Sequence, residues 1–242
     1  MINNIIDIQK IIEPNKTGVR ALPGTVIANG AGEVLYTPPE GKDVILSLLA
    51  NLETFMHAKD DIYPLIKTGL IHYQFEAIHP FYDGNGRTGR ILMILYLSMM
   101  GLLDYPVLFI SGYIHSHRDA YYKTLAYTHQ TDDYTKIIMY MLDAIHHQSD
   151  KTSDKIIRIG SLIKKLEEGI SEHIKKRPHA LAWTLLSNPF ITIQNIADNL
   201  GITRQTAAIY CKKLAAAGIV QMSAVGKYTL VSVPGFIALL GE

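Results

Sequence analysis

His79-Pro80-Phe81-Tyr82-Asp83-Gly84-Asn85-Gly86-Arg87-Thr88-Gly89-Arg90 lies between two segments of helical periodicity and carries nearly every group that a phosphate site needs. Gly84 and Gly86 allow a tight turn and a close approach of backbone to ligand. The helix expected to open near Arg87 would aim its unpaired N–H groups back into that turn, which makes an anion site. Arg87 and Arg90, three apart, project from neighbouring positions of the first helical turn, where their like charges call for a counter-anion. A phosphate chain would supply it. Asp83 adds a hard oxygen beside the same anion, and magnesium is commonly held by one or two carboxylates plus substrate phosphates. His79 is placed to take a proton from a hydroxyl attacking that phosphate. Pro80 stops the preceding helix and Phe81 is expected to lock the turn into the core. Each residue alone has an ordinary structural explanation, but together they read as a phosphate-binding active site.

A metal reading competes with this one. His72, Glu76 and His79 share a helix face at spacings of four and three, which suits zinc. No obvious fourth ligand exists elsewhere, and the adjoining Gly-Asn-Gly-Arg needs a phosphate to explain it. His72 and Glu76 are therefore expected to pack beneath the loop or orient it.

Outward from this stretch, periodicity predicts a mainly helical chain. A short helix over 2–12 ends at Pro14. Thr25-Val26-Ile27 and Glu33-Val34-Leu35-Tyr36 bracket Asn29-Gly30-Ala31-Gly32, a hairpin signal. Helices are expected over 43–59, 64–78, 87–101, 115–130 and 134–147, with Pro64 at a first helical position. The polar run 148–154 is the best candidate boundary. Beyond it 155–176 reads as a connecting helix, and 151–177 holds eight Lys/Arg against four Asp/Glu, as a solvated face would. Helices over 180–187, 192–199 and 203–217, then a hairpin from 221–223 and 228–231, outline a winged helix-turn-helix.

Composition bounds the rest. The 242 residues amount to about 1.6 domains at roughly 150 residues each, so one large domain and a small module are expected. Net charge is +1, so no whole-chain case exists for nucleic acid or an anionic surface. The single cysteine, Cys211, cannot form an internal disulfide, which fits a reducing, cytoplasmic setting. The apolar run from Ile91 to Leu103 is too short to span a bilayer, and residues 1–10 lack the pattern of a signal peptide.

His-Pro-Phe-x-Asp-Gly-Asn-Gly-Arg-x-x-Arg, with every position present, resembles the signature of the Fic family. The resemblance implies an all-helical core with a small hairpin flap. It also implies transfer of AMP from ATP, with Mg2+, to a Ser, Thr or Tyr hydroxyl of a target protein or of the enzyme itself, and the tail resembles the extension of many bacterial relatives. By that likeness His79 is the general base, Asp83 the magnesium ligand, and Gly84, Asn85 and Gly86 the anion hole. Arg87 and Arg90, with Thr88 between them, hold the ATP phosphates. Residues 22–39 resemble the flap that pairs with the target, with Val34, Leu35, Tyr36 and Thr37 as contacts. His117-Arg118, Tyr121, Tyr122 and His129 fall near the adenine, although His117 and His129 depart from the family's common Asn. The family's kinase-like branch has Ala-Asn-Lys-Arg in place of Gly-Asn-Gly-Arg, so Gly84 and Gly86 favour nucleotidyl transfer over phosphorylation, with transfer of a different nucleotide or phosphate-containing group as an alternative.

On this reading residues 1–150 form a Fic catalytic domain, 151–177 a connecting helix and 178–242 a winged helix domain. The family's inhibitory Ser/Thr-x-x-x-Glu pattern is not found before the flap. Glu167-Glu168-Gly169 has Lys164 where the Ser or Thr belongs. Inhibition is therefore expected from a removed N-terminal helix or a separate inhibitory protein, or not at all. A homodimer is compatible with the pattern. An alternative is a DNA-binding regulator. Thr203-Arg204-Gln205-Thr206 would open its recognition helix, with Lys212, Lys213 and Lys227 nearby. Residues 178–242 hold four Lys/Arg against two Asp/Glu, a weak charge excess for DNA.

Overall fold

A computed structural model describes residues 2–28 and 32–241, which divide into two compact units, residues 1–152 and 153–242. The expected turn at Asn29-Gly30-Ala31 lies outside the described residues. The chain is mainly α-helical, with two small antiparallel sheets.

The first unit is organised by α3 (Pro64–Ile78), which buries residues on all its faces because apolar side chains run right round it. One side packs with α1 (Ile2–Ile12), α2 (Lys42–His57) and α4 (Asn85–Met99) around Ile5, Leu49, Ile71, Phe75 and Phe81. The other packs through Tyr73, Met93, Ile114, Tyr121 and Met141 against α5 (Ile110–Ser116), α6 (Arg118–Thr131) and the first part of α7 (Thr135–His173). Between α1 and α2, β1 (Ile27–Ala28) pairs with β2 (Val34–Tyr36), Ile27 opposite Tyr36.

Two expectations need correction. The single helix over 115–130 is two helices, starting earlier and broken at His117, which leaves helical geometry at φ −121° and ψ 36°. Its ring stacks on Tyr113 at 4.1 Å, and the Ser116 hydroxyl bonds back to the Gly112 and Tyr113 carbonyls, a pattern that bends helices. Conversely, 134–147 and 155–176 are parts of one helix, α7. The polar run 148–154 contains neither Gly nor Pro, so each residue costs only a few tenths of a kcal/mol, and nothing stops the helix. Asp154 and Arg158 even pair across a turn at 3.5 Å.

In the second unit, α8 (Pro178–Leu186), α9 (Ile193–Leu200) and α10 (Arg204–Ala216) are joined by β3 (Ile191–Thr192), β4 (Gln221–Val225) and β5 (Tyr228–Ser232), with sheet order β3-β5-β4. Thr192 and Thr203 cap α9 and α10 by accepting from the N–H groups of Asn195 and Thr206. Gly201 ends α9 at φ +62°, where glycine avoids a Cβ clash. Ile196, Ala207, Leu214 and Val231 lie in the core. The short β3 and a last helix, α11 (Pro234–Gly241), carry too few residues to announce themselves by periodicity. No helix among the described residues is long and apolar enough to cross a membrane.

Candidate active site

The last turn of α3 delivers His79 in the left-handed region, φ +48°, which non-glycine residues seldom adopt without support from their surroundings. Arg20 provides that support. Fully buried, it donates through Nε to the His79 carbonyl at 2.7 Å and through Nη2 to the carbonyls of Pro39 at 2.5 Å and Ile78 at 3.2 Å. Its own N–H bonds the Pro80 carbonyl at 2.9 Å. One guanidinium thus ties the base of the hairpin region to the end of α3. Burial pushes the His79 imidazole down to about 4, with the Glu76 carbonyl opposing and the Arg20 charge assisting. The ring is therefore neutral at pH 7 and able to accept a proton.

Beyond His79 the loop is clipped from inside. Asn85 accepts from the Phe81 N–H at 2.8 Å and donates to the Phe81 carbonyl at 2.7 Å. The Phe81 ring is fully buried, as its place in the sequence suggested. The Asn85 side chain is committed to this clip, so only its backbone N–H is left for an anion. Gly84 turns at φ +83°, and α4 starts at Asn85, two residues earlier than periodicity indicated. A Cβ at Gly86 would lie 3.0 Å from Arg90 Nη1, so the guanidinium lies directly over this glycine. Its Nε donates to Ser111 Oγ on α5 at 2.7 Å.

A cavity of about 570 Å3 opens beside this loop, within the usual range for a small-molecule site. His79, Gly86 and Arg90 line it together with Arg118, Tyr121, Tyr122 and His129 of α6. Leu35 and Tyr36 of β2 face it, and the Tyr36 ring meets His129 at a centroid distance of 3.9 Å. The expected flap and adenine residues are thus neighbours. Val34 is exposed, and neither it nor Thr37 reaches the cavity. Thr88 is fully buried and His117 stacks on Tyr113, and neither lines the cavity. Asp83, Gly84 and Arg87 also lie outside its lining.

Those outer loop residues have partners that periodicity could not supply. Arg87 pairs with Glu13, just past α1, at 2.5 Å. Lys16 Nζ sits 3.1 Å from Asp83 Oδ2, and Gln9 donates to the Asp83 carbonyl at 3.1 Å. The counter-anion that the two arginines demanded is thus provided for Arg87 by the chain itself. Lys16 and the Gly84 N–H hold the Asp83 carboxyl below the usual carboxylate range. An ionised, half-exposed hard oxygen suits Mg2+, which would be held by Asp83 together with ligand phosphates. The zinc reading fares otherwise. His72 is fully buried with Nε2 2.8 Å from the Tyr121 hydroxyl, and no metal-binding cluster occurs among the described residues.

Residues 3–97 match the Fic/DOC family, and residues 162–233 match the C-terminal domain of SoFic-like protein adenylyltransferases. The chain is similar to a protein adenylyltransferase Fic of Drosophila grimshawi, 31% identical over 55% of this chain and 27% of the relative. It is 36% identical to another from Aedes aegypti over 40% of this chain and 18% of the relative. The chain thus matches about a quarter or less of the length of these relatives. A crystal structure of a Fic family protein from Desulfovibrio desulfuricans shares the fold, with a TM-score of 0.57 and 20% identity over 97% of this chain and 69% of that one. The chain carries a Fic/DOC-family domain followed by a domain of the SoFic-like C-terminal type.

Proposed function

We propose that the protein is an adenylyltransferase that moves AMP from ATP to a Ser, Thr or Tyr hydroxyl of a target protein. The observation that carries the reading is that a neutral, partly buried imidazole and a cationic guanidinium, His79 and Arg90, line the same cavity. Arg90 and Arg87 bind and orient the triphosphate, and the loop N–H groups face its developing charge. His79 takes the proton of the target hydroxyl as its oxygen attacks the α-phosphorus. The bond to the leaving pyrophosphate breaks. Asp83, with the phosphates, would hold Mg2+, which when bound would neutralise charge on the leaving group. Leu35 and Tyr36, at the cavity edge, present the target segment with Val34 and Thr37 outside them.

In the resting protein Glu13 and Lys16 hold Arg87 and Asp83, so ATP and Mg2+ must displace exposed, weak ion pairs. The second unit is read as a winged helix whose α10 exposes Arg204, Lys212 and Lys213 beside Ile209, a mixed surface better suited to protein than to DNA.

The test is incubation with labelled ATP, Mg2+ and a cell lysate. Wild type should label a protein, itself included, and His79→Ala should lose about 10²–10⁴-fold in rate. Equal labelling by both would refute the assignment.

A further inference from the structure

Beneath the loop lies a carboxyl group for which the proposed chemistry has no use. Glu76, three residues before His79 on α3, is only 7% exposed, and its Oε1 has no hydrogen-bond partner. A Cβ at residue 89 would sit 2.7 Å from that oxygen and 2.9 Å from Phe75, so Gly89 is what lets the carboxyl pass under the first turn of α4. The same side chain lines the cavity, as Arg90 does, and lies within reach of the Arg90 charge. An unpartnered carboxylate in such a place is costly, and a neutral acid much less so.

We propose that Glu76 is a positioning residue for Arg90, and that it completes its protonation from solvent when ligand phosphates settle on that arginine. This rests on the reading of the cavity as a nucleotide site. In the empty pocket two influences compete: burial raises the Glu76 pKa to about 7 while the Arg90 charge holds it down. Phosphates on Arg90 cancel its pull, and the ligand expels water, so both changes favour the neutral acid. The carboxylate thus balances Arg90 while the pocket is empty and removes its own charge when an anion arrives.

The surrounding groups leave this role to Glu76. On its own helix His72 is held at about 3 and His79 at about 4, so both are already neutral, and Tyr73 is pushed up to about 12. Burial and the nearby Glu76 carry Tyr121 of α6 well above its ordinary value. His115 of α5, Arg118, Tyr122 and His129 of α6, and Tyr36 of β2 face the cavity from the remaining sides. Any proton exchanged by these groups, or by the ligand itself, is common to wild type and Glu76→Gln and cancels in their difference.

The experiment is calorimetric titration of the full chain with a non-hydrolysable ATP analogue and Mg2+, in buffers of different ionisation enthalpy. At pH 7 wild type should take up about half a proton more than Glu76→Gln, and at pH 5.5 the difference should shrink towards zero. Above pH 7 wild-type affinity should fall by up to about tenfold per pH unit relative to Glu76→Gln. Equal proton counts at pH 7 would overturn the proposal while leaving the nucleotide site standing. Absence of binding by wild type would refute the nucleotide reading and this one with it. Should Glu76→Gln not fold, difference infrared spectroscopy of wild type decides: a protonated-carboxyl band should grow on ligand addition, and adenine has no carbonyl to mask it. A band that does not change would overturn the proposal.

Discussion

The two units bury polar groups very differently. Of the twelve buried polar or charged residues among those described, ten lie in residues 1–152, and only Thr184 and Ser232 lie beyond. Among the described residues, every buried side-chain nitrogen or oxygen without a hydrogen-bond partner is in the first unit, on Arg20, His72, Glu76, His79, Thr88, Ser98 and Thr128. The second unit closes its core with aliphatic side chains around a buried, unreactive Cys211, whose thiol is pushed up to about 11. Buried polar groups without partners oppose folding, so a fold that keeps them keeps them for chemistry. The contrast supports the proposal that the reactive centre lies in the first unit.

The comparison is broken most sharply at Gly89. Gly89→Ala forces a Cβ against Glu76 and Phe75, and should destabilise the first unit by about 2–3 kcal/mol. Hydrogen exchange resolved by segment should show the loss in residues 2–152 and leave α8 to α10 protected. Protection lost equally in both units would contradict the separation.

Acid is the next probe. His72 and His79, at about 3 and 4 when folded against 6.5 unfolded, leave the unfolded chain with up to two extra protons between pH 4.5 and 6.5. Their contribution is present above pH 6.5 and is lost as pH falls. Glu76, at about 7 folded against 4.5 unfolded, acts oppositely, its contribution being lost as pH rises towards 7. The three groups together leave about one net proton, so the first unit should lose roughly 1.4 kcal/mol per pH unit on acidification through this window. Glu76→Gln should roughly double that slope, as read by denaturant titration at several pH values. An unchanged slope would show that Glu76 ionises normally.

The smallest effect sharpens the other side of the contrast. Thr203→Ala removes the cap of α10 and should cost about 1 kcal/mol, confined to the second unit and without effect on labelling. A fall in labelling would show that the second unit takes part in the chemistry.

What could be read from sequence follows the same divide. The loop from His79 to Arg90 was legible because turn glycines, a helix start and paired arginines are local signals. Its supports were not: Arg20, Glu13 and Lys16 meet it from 59 to 74 residues away, and no spacing rule connects them. Glu76 was visible only as a spacing to His72 and His79, and its meaning depends on Gly89 and Arg90 across a helix crossing. The division of α5 from α6 escaped periodicity because neither Gly nor Pro stands at His117 to mark a stop. In the second unit, the bounds expected for α9 and α10 lie within one residue of those found, where capping threonines and a glycine stop mark the ends, whereas α11 went unread.

The central claim is that the cavity above His79 and Arg90 transfers an adenylyl group. Intact-mass spectrometry of acceptor proteins, the enzyme included, after incubation with ATP and Mg2+ tests it directly. The account predicts addition of one adenylyl group per modified hydroxyl with wild type and none with His79→Ala. Addition of a bare phosphate, or of the same mass by both proteins, would contradict it.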